Sequence, residues 1–146
     1  MNDTAQRTPP SITDLQQVLH SGVPLAEAWG VEVLEAAEGR AVLRLPLGPV
    51  LLRPGGTISG PAMMGLADMA VWVALLSLSG GRDESLTTSL TINFLRRPGS
   101  APLQAEARVL RPGRLPFAEV WIRAEDAEEP CAHVTSTWAA VTVPRR

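Results

Sequence analysis

The sequence predicts an α+β fold: one long, enclosed helix with an antiparallel sheet folded around it. Three observations lead there. A single long apolar stretch, Ile58 to Gly80, is bracketed by residues that start and stop helices. The segments around it alternate apolar and polar residues with the period of two of a strand covered on one face. The order along the chain is short helices, two strands, the long helix and then a meander of strands. Helix and strands are therefore segregated, unlike the alternation of a parallel α/β fold.

Taken in order, Ser11 to His20 reads as a short amphipathic helix with Ile12, Leu15 and Leu19 at helical spacing and Ser11 as its cap. Pro24 to Trp29 reads as a further helical turn. "WGVEVLEAA" and "RAVLRLPL" read as two strands joined near Glu38–Gly39, the second setting Ala41, Leu43, Leu45 and Leu47 against Val42 and Arg44. "LGPVLLRPGGT" is a turn-rich loop. The central helix begins near Ser59 to Pro61, with Ser59 or Gly60 as cap and Pro61 at the first helical position. It stops at Gly80–Gly81. Its residues are apolar on nearly all sides, as in a helix enclosed by other structure.

After it, "LTTSLTINFLRR" sets Leu86, Leu90, Ile92 and Phe94 against Thr87, Ser89, Thr91 and Asn93. "LQAEARVLR", "PFAEVWIRAE" and "CAHVTSTWAAVTV" supply the remaining strands, with turns at "PG" and "EEP". The expected organisation is an N-terminal tail and short helix over 1–22, followed by a single domain over 23–146.

Composition narrows the functional classes. The chain has 146 residues, 45% of them hydrophobic, with a formal net charge of −2, which argues against a general nucleic-acid binder. There is no lysine, so the formal positive charge is all arginine, and tyrosine is absent. Lysine Schiff-base chemistry, a phosphate-loop lysine and tyrosine acids or nucleophiles are thereby excluded. One cysteine cannot form an internal disulfide, and "MNDTAQRTPPSITD" lacks a signal-peptide pattern, so a cytoplasmic location is expected. Asp68, Gly60, Pro61, Gly65 and Ser77 argue against a membrane span at Ile58 to Gly80, since an acid near the bilayer centre costs roughly 3 kcal/mol.

"GGTISGPAMMGLADMA", followed after the helix by "TTSLTINFLRRP", resembles the hotdog-fold acyl-CoA thioesterases of the phenylacetate-pathway (PaaI) type. The resemblance runs from about Trp29 to Val143. It implies a hotdog fold, with a curved antiparallel sheet wrapped around one long central helix and two subunits joined edge to edge. It also implies acyl-CoA thioester hydrolysis in a homodimer or homotetramer, without a metal, with coenzyme A present only as part of the substrate. In that family a "HGG" at the helix start offers a backbone amide as oxyanion donor, and an acidic residue two turns later is nucleophile or general base.

On this chain those positions are Ser59, Gly60 and Pro61, with Asp68 as the acid. The chain departs from the pattern in two places: serine and proline stand where the family has histidine and its second glycine, and Arg53 stands where some members have asparagine. Thr87, or Thr88 in a shifted register, aligns with a residue that helps position water. Arg96 and Arg97 fall in a region that can meet the phosphates of coenzyme A. Pro61, Met64 and Trp72 complete the expected substrate-binding set, Trp72 as a wall of an acyl pocket or as core.

The chemistry is consistent with these residue types. A helix N-terminus supplies free N–H groups and partial positive charge for a developing oxyanion, and a carboxylate in an apolar site is a stronger base or nucleophile. Gly60 and Asp68 are eight positions apart, about 12 Å along a helix, so they cannot reach one thioester from the same helix. If they act together, the site is shared between two antiparallel helices of a dimer. Alternatives stand beside this reading: Asp68 as a structural acceptor, and a non-catalytic dimer that binds acyl-CoA as a sensor or carrier partner, which the Ser59 and Pro61 departures favour. A hydratase is expected to need a histidine near its carboxylate, which this chain lacks in sequence. Cys131 and His133 share a strand face but lack a third orienting group, two ligands are too few for zinc, and His20 reads as a surface residue at a helix end.

Overall fold

The computed structural model describes residues 8–141. The tail before them, and Thr142 and Val143 at the end of the expected last strand, lie outside the described residues. Helix α1 (Ile12–Gly22) opens with a capping box: the Ser11 hydroxyl accepts from the Asp14 N–H, and the Asp14 carboxylate accepts from the Ser11 N–H. Its buried face is Leu15 and Leu19, whereas Ile12 is 43% exposed because it lies on the first turn, beyond the edge of the core. Helix α2 (Pro24–Ala28) follows, and Trp29 is its C-cap rather than the first residue of a strand. The Trp29 ring instead packs on Gly65 of the long helix, where a Cβ would meet it at 2.7 Å.

Strands β1 (Glu32–Ala37) and β2 (Arg40–Leu45) form a hairpin. Ala41, Leu43 and Leu45 are fully buried, as their alternation requires; Leu47 lies past the strand and is exposed. The expected loop holds more order than its turn residues imply. A 3-10 turn (Pro49–Leu51) precedes a two-stranded ribbon, β3 (Leu52–Arg53) with β4 (Thr57–Ile58).

Helix α3 (Gly60–Leu78) comes next, with Ser59 as N-cap. Pro61 is therefore the second helical residue, where an absent N–H is still harmless. Gly80 and Gly81 stop the helix at φ +67° and +85°, and the Gly81 N–H closes onto the Leu76 carbonyl. By length and composition α3 could cross a membrane; its surroundings make it the core helix of this fold.

The remaining strands are β5 (Leu86–Phe94), β6 (Leu103–Arg111), β7 (Phe117–Ala124) and β8 (Ala132–Ala139). Six antiparallel strands form one sheet in the order β1-β2-β6-β7-β8-β5, with α3 packed chiefly across β2 and β6. The core lies between the sheet's inner face and α3, with Leu66, Val73, Leu103, Val120 and Ile122 all fully buried. This is the hotdog arrangement.

Burying that layer leaves the two sheet edges unequal. Next to β1, α1 packs against the strand and the Gln16 side chain accepts the Val33 N–H. On β5, beyond β8, the described residues supply no further strand. The strand also breaks its predicted alternation. Thr87 faces Trp138 and Ser89 faces Thr137, so Thr88 is an extra residue forming a bulge. Past the bulge Leu90, Ile92 and Phe94 share the inner face, opposite buried Ser136, Val134 and Ala132. Before it the phase is reversed: Thr87, not Leu86, turns inward, and Leu86 is 63% exposed.

Candidate active site

Helix α3 is enclosed on all but one stripe. Pro61 and Met64 are exposed along it, and Gly65, Asp68 and Trp72 are half-buried. Asp68 therefore sits at the open side of the helix rather than sealed in the apolar layer that its sequence neighbours predicted. The bulge in β5 turns Thr87 towards it, and the threonine hydroxyl donates to Asp68 Oδ1 at 2.6 Å. A threonine on the far side of an unbroken strand could not make that bond. The pair lines a cavity of about 380 Å3 whose apolar wall includes Val23, Met69, Trp72 and Trp138.

The other end of α3 builds a second cleft, of about 730 Å3, around Gly60, Met63, Phe94, Arg53, Arg96 and Arg97. Its donor count follows from the first turn of the helix. Pro61 has no N–H, the Ala62 N–H bonds the Ser59 hydroxyl at 3.4 Å, and the Met63 N–H bonds the Ser59 carbonyl at 3.2 Å. The Gly60 N–H is left with no acceptor among the described residues. Glycine also keeps the approach narrow but open, since a Cβ there would meet the Phe94 ring at 3.3 Å.

The arginines around this cleft differ in freedom. Arg96 pairs with Glu129 at 2.9 Å and donates to the Pro130 carbonyl, and Arg97 reaches the Gly55 carbonyl at 3.3 Å. No carboxylate lies within 4.0 Å of Arg53 or Arg97 among the described residues. A helix N-terminus with one free amide, ringed by arginine, is suited to anionic groups.

The site residues expected from the sequence thus fall into two groups on one chain. Gly60, Arg53, Arg96 and Arg97 line the arginine cleft, and Asp68, Thr87 and Trp72 line the carboxylate cavity. Ser59 caps the helix at the rim of the first. Pro61 and Met64 lie on the open stripe and line neither. Thr88, at the bulge, donates to the Thr137 carbonyl at 3.0 Å and stays outside.

Sequence reasoning missed Thr57, Ile58 and Phe94 in the cleft, and Asp83, Glu84 and Trp138 in the cavity. The Thr57 hydroxyl is the one buried side-chain polar atom without a partner among the described residues. Nothing in a single sequence marks it; Phe94, by contrast, carries a signal in its place at the end of the "LTINF" alternation.

Residues 55–130, which hold α3, β5, β6, β7 and most of the residues lining both clefts, match the family model described as thioesterase superfamily. The chain belongs to the thioesterase superfamily. It is similar to a provisionally assigned thioesterase from Silicibacter sp. TM1040, 30% identical, with a TM-score of 0.81 over 94% of this chain and 97% of that one. It is also similar to a mutant of the phenylacetic acid degradation protein PaaI from Thermus thermophilus, 28% identical, with a TM-score of 0.71 over 81% of this chain and 99% of that one. Among curated proteins, a provisionally assigned esterase from Saccharolobus solfataricus is 28% identical over 102 residues, 70% of this chain and 72% of that protein. The chain is thus a PaaI-type hotdog member of the superfamily.

Other constellations in this thioesterase-superfamily chain do not assemble. Cys131 is buried, which raises its thiol above the ordinary range and disfavours the thiolate. His133 engages the Glu119 carboxylate at 2.7 Å and packs against Trp121 in a tilted arrangement, with ring centroids 4.1 Å apart. His20 is not a free surface residue: its Nε2 donates to the Val31 carbonyl at 2.7 Å and ties α1 to the start of the sheet. Among the described residues no cluster of three or more His, Cys, Asp or Glu side chains could hold a metal ion.

Proposed function

We propose that this protein is an acyl-CoA thioesterase acting as a homodimer, or as a homotetramer built of such dimers, with each active site shared by two subunits. The observation that carries the reading is the division of labour on α3. The one free amide of its first turn and the Asp68–Thr87 pair open into separate clefts, about 12 Å apart along the helix axis. Two copies related by a two-fold axis, joined at the β5 edges with their α3 helices antiparallel, bring Gly60 of one beside Asp68 of the other.

In that arrangement the thioester carbonyl lies between the two helices. Asp68, oriented by the Thr87 hydroxyl, takes a proton from water as the water oxygen attacks the carbonyl carbon, or attacks that carbon directly as nucleophile. The oxyanion forms against the Gly60 N–H of the other subunit, where the helix dipole also favours negative charge. Collapse breaks the C–S bond, and the coenzyme A thiolate leaves and takes up a proton. In the direct-attack route, water then hydrolyses the acyl–Asp68 anhydride. Arg53, Arg96 and Arg97 suit the phosphates of coenzyme A, and the apolar cavity beside Asp68 suits the acyl group. Water is the only co-reactant required.

Incubation with a panel of acyl-CoAs, with free thiol followed, tests this directly. Turnover of at least one member is expected, and Asp68→Asn should lower kcat about 10²–10⁴-fold. Full activity in Asp68→Asn would refute the mechanism.

One observation favours a second reading. Ser59 stands where the PaaI-type pattern has histidine, and its oxygen is engaged by the helix cap. A non-catalytic dimer that binds acyl-CoA would show affinity by calorimetry and no thiol release from any member of the panel.

A further inference from the structure

The cavity beside Asp68 has no role in fixing coenzyme A, yet its walls and charges are specific. Trp72 follows Asp68 by one helical turn and forms part of the apolar wall. Its ring is held from two sides. The indole Nε1 donates to the Asp83 carbonyl at 3.2 Å. On the other side the ring edge lies against Gly22, the last residue of α1, where a Cβ would approach Cη2 to 2.7 Å. Only glycine lets the indole settle so close to α1. The last residue of α1, far from the reacting atoms in sequence, thereby sets where the back wall stands.

Among the described residues the charge around this cavity has one sign: Asp68, Asp83 and Glu84 line it, and no cationic side chain does. None of the three is in an ion pair among the described residues. Asp83 Oδ1 accepts the Ser85 N–H at 2.8 Å, which fixes the turn, while Glu84 is exposed at the rim. The arginine cleft at the other end of α3 has the opposite sign. A carboxylate carried on an acyl chain would be repelled at the Asp68 cavity and attracted only to the coenzyme A side.

We infer that this cavity selects compact, uncharged acyl groups: Glu84 and Asp83 exclude acyl chains ending in a carboxylate, and Trp72, held in place by Gly22, limits chain length. The inference deepens the thioesterase reading and rests on it for the identity of the ligand.

Binding of unreactive thioethers tests it independently of turnover. By calorimetry, the wild-type protein should bind S-butyl-coenzyme A at least about tenfold more tightly than S-(3-carboxypropyl)-coenzyme A, as like charges facing each other require. Glu84→Lys should narrow that ratio. Gly22→Ala, by pressing the indole into the cavity, should lower the affinity for S-octyl-coenzyme A relative to S-butyl-coenzyme A, and Trp72→Phe should raise it. Equal wild-type binding of the butyl and carboxypropyl compounds overturns the charge selection. A chain-length ratio unmoved by both Gly22→Ala and Trp72→Phe overturns the wall. Selective binding without hydrolysis of the matching thioesters supports this inference while removing the hydrolase reading; absence of any binding overturns both.

Discussion

Asp68 illustrates how much one residue's neighbours can mislead. In sequence it interrupts an apolar run and reads as a buried charge, but the helix carries it on its one open stripe. The residue that completes it, Thr87, is in the predicted set for its type and alignment. Strict alternation from Leu90 would nevertheless turn it outward. The bulge at Thr88 reverses the phase, and a single extra residue leaves no periodic trace in so short a strand. The consequence is testable. Thr87→Val keeps shape and β-propensity while deleting the donor, so kcat should fall about tenfold, less than for Asp68→Asn, with little change in KM. A thermal melt close to the wild type would confirm that the loss is local. An unchanged kcat would mean that the 2.6 Å bond does not orient the carboxylate during turnover.

At the scale of elements, what the sequence states plainly is what local rules govern. The Ser11 cap, the glycine stop after α3 and the alternation of Ala41, Leu43 and Leu45 each depend on near neighbours, and each appears in the structure. Trp29 and Gly65 are different: their fit joins α2 to the middle of α3, and neither residue announces the other.

The outer face of the sheet shows the same limit. Arg40 on β2 donates to Glu106 on β6 at 3.0 Å and also pairs with Glu35 on β1. This hydrogen bond, more than the Coulomb attraction, holds the Glu106 carboxyl below its ordinary range, against the opposing effect of burial. A carboxyl depressed in the folded state adds stability above the unfolded-state value near 4.3, and that stability disappears as pH falls through the folded value. Glu106→Gln should therefore lower Tm at pH 7, and the difference from wild type should shrink on acidification below about pH 4. It should also be reduced by added salt, because the pair is partly exposed. A difference that persisted unchanged at low pH would point to packing rather than charge.

For the whole molecule, the proposed mechanism makes a demand that no single chain meets, because its two half-sites open into separate clefts. Gly60 faces the arginine cleft and Asp68 the opposite cavity, and β5 offers an edge whose inner face still shows Phe94 at 52% exposure. Separate defects in the two half-sites should therefore complement each other. Gly60→Pro deletes the donor: proline is favoured at the first helical position, and Ser59 already has the extended backbone (φ −76°, ψ 155°) that a following proline prefers. The cost is that residue 60, helical and directly before Pro61, loses the freedom of glycine, so a thermal melt accompanies the assay. The half-exposed Phe94 ring has room to yield to the added atoms. Gly60→Pro and Asp68→Asn homodimers should each be nearly inactive. Unfolded together and refolded as an equal mixture, about half of the dimers are mixed, and each mixed dimer holds one site with both Asp68 and the Gly60 N–H. Half of the dimers times half of their sites predicts recovery of about a quarter of wild-type activity. Recovery near that level requires the two residues to meet across the subunit boundary. If refolded mixtures stay as inactive as their parents while calorimetry and sizing show intact mixed dimers, Gly60 and Asp68 do not share a substrate.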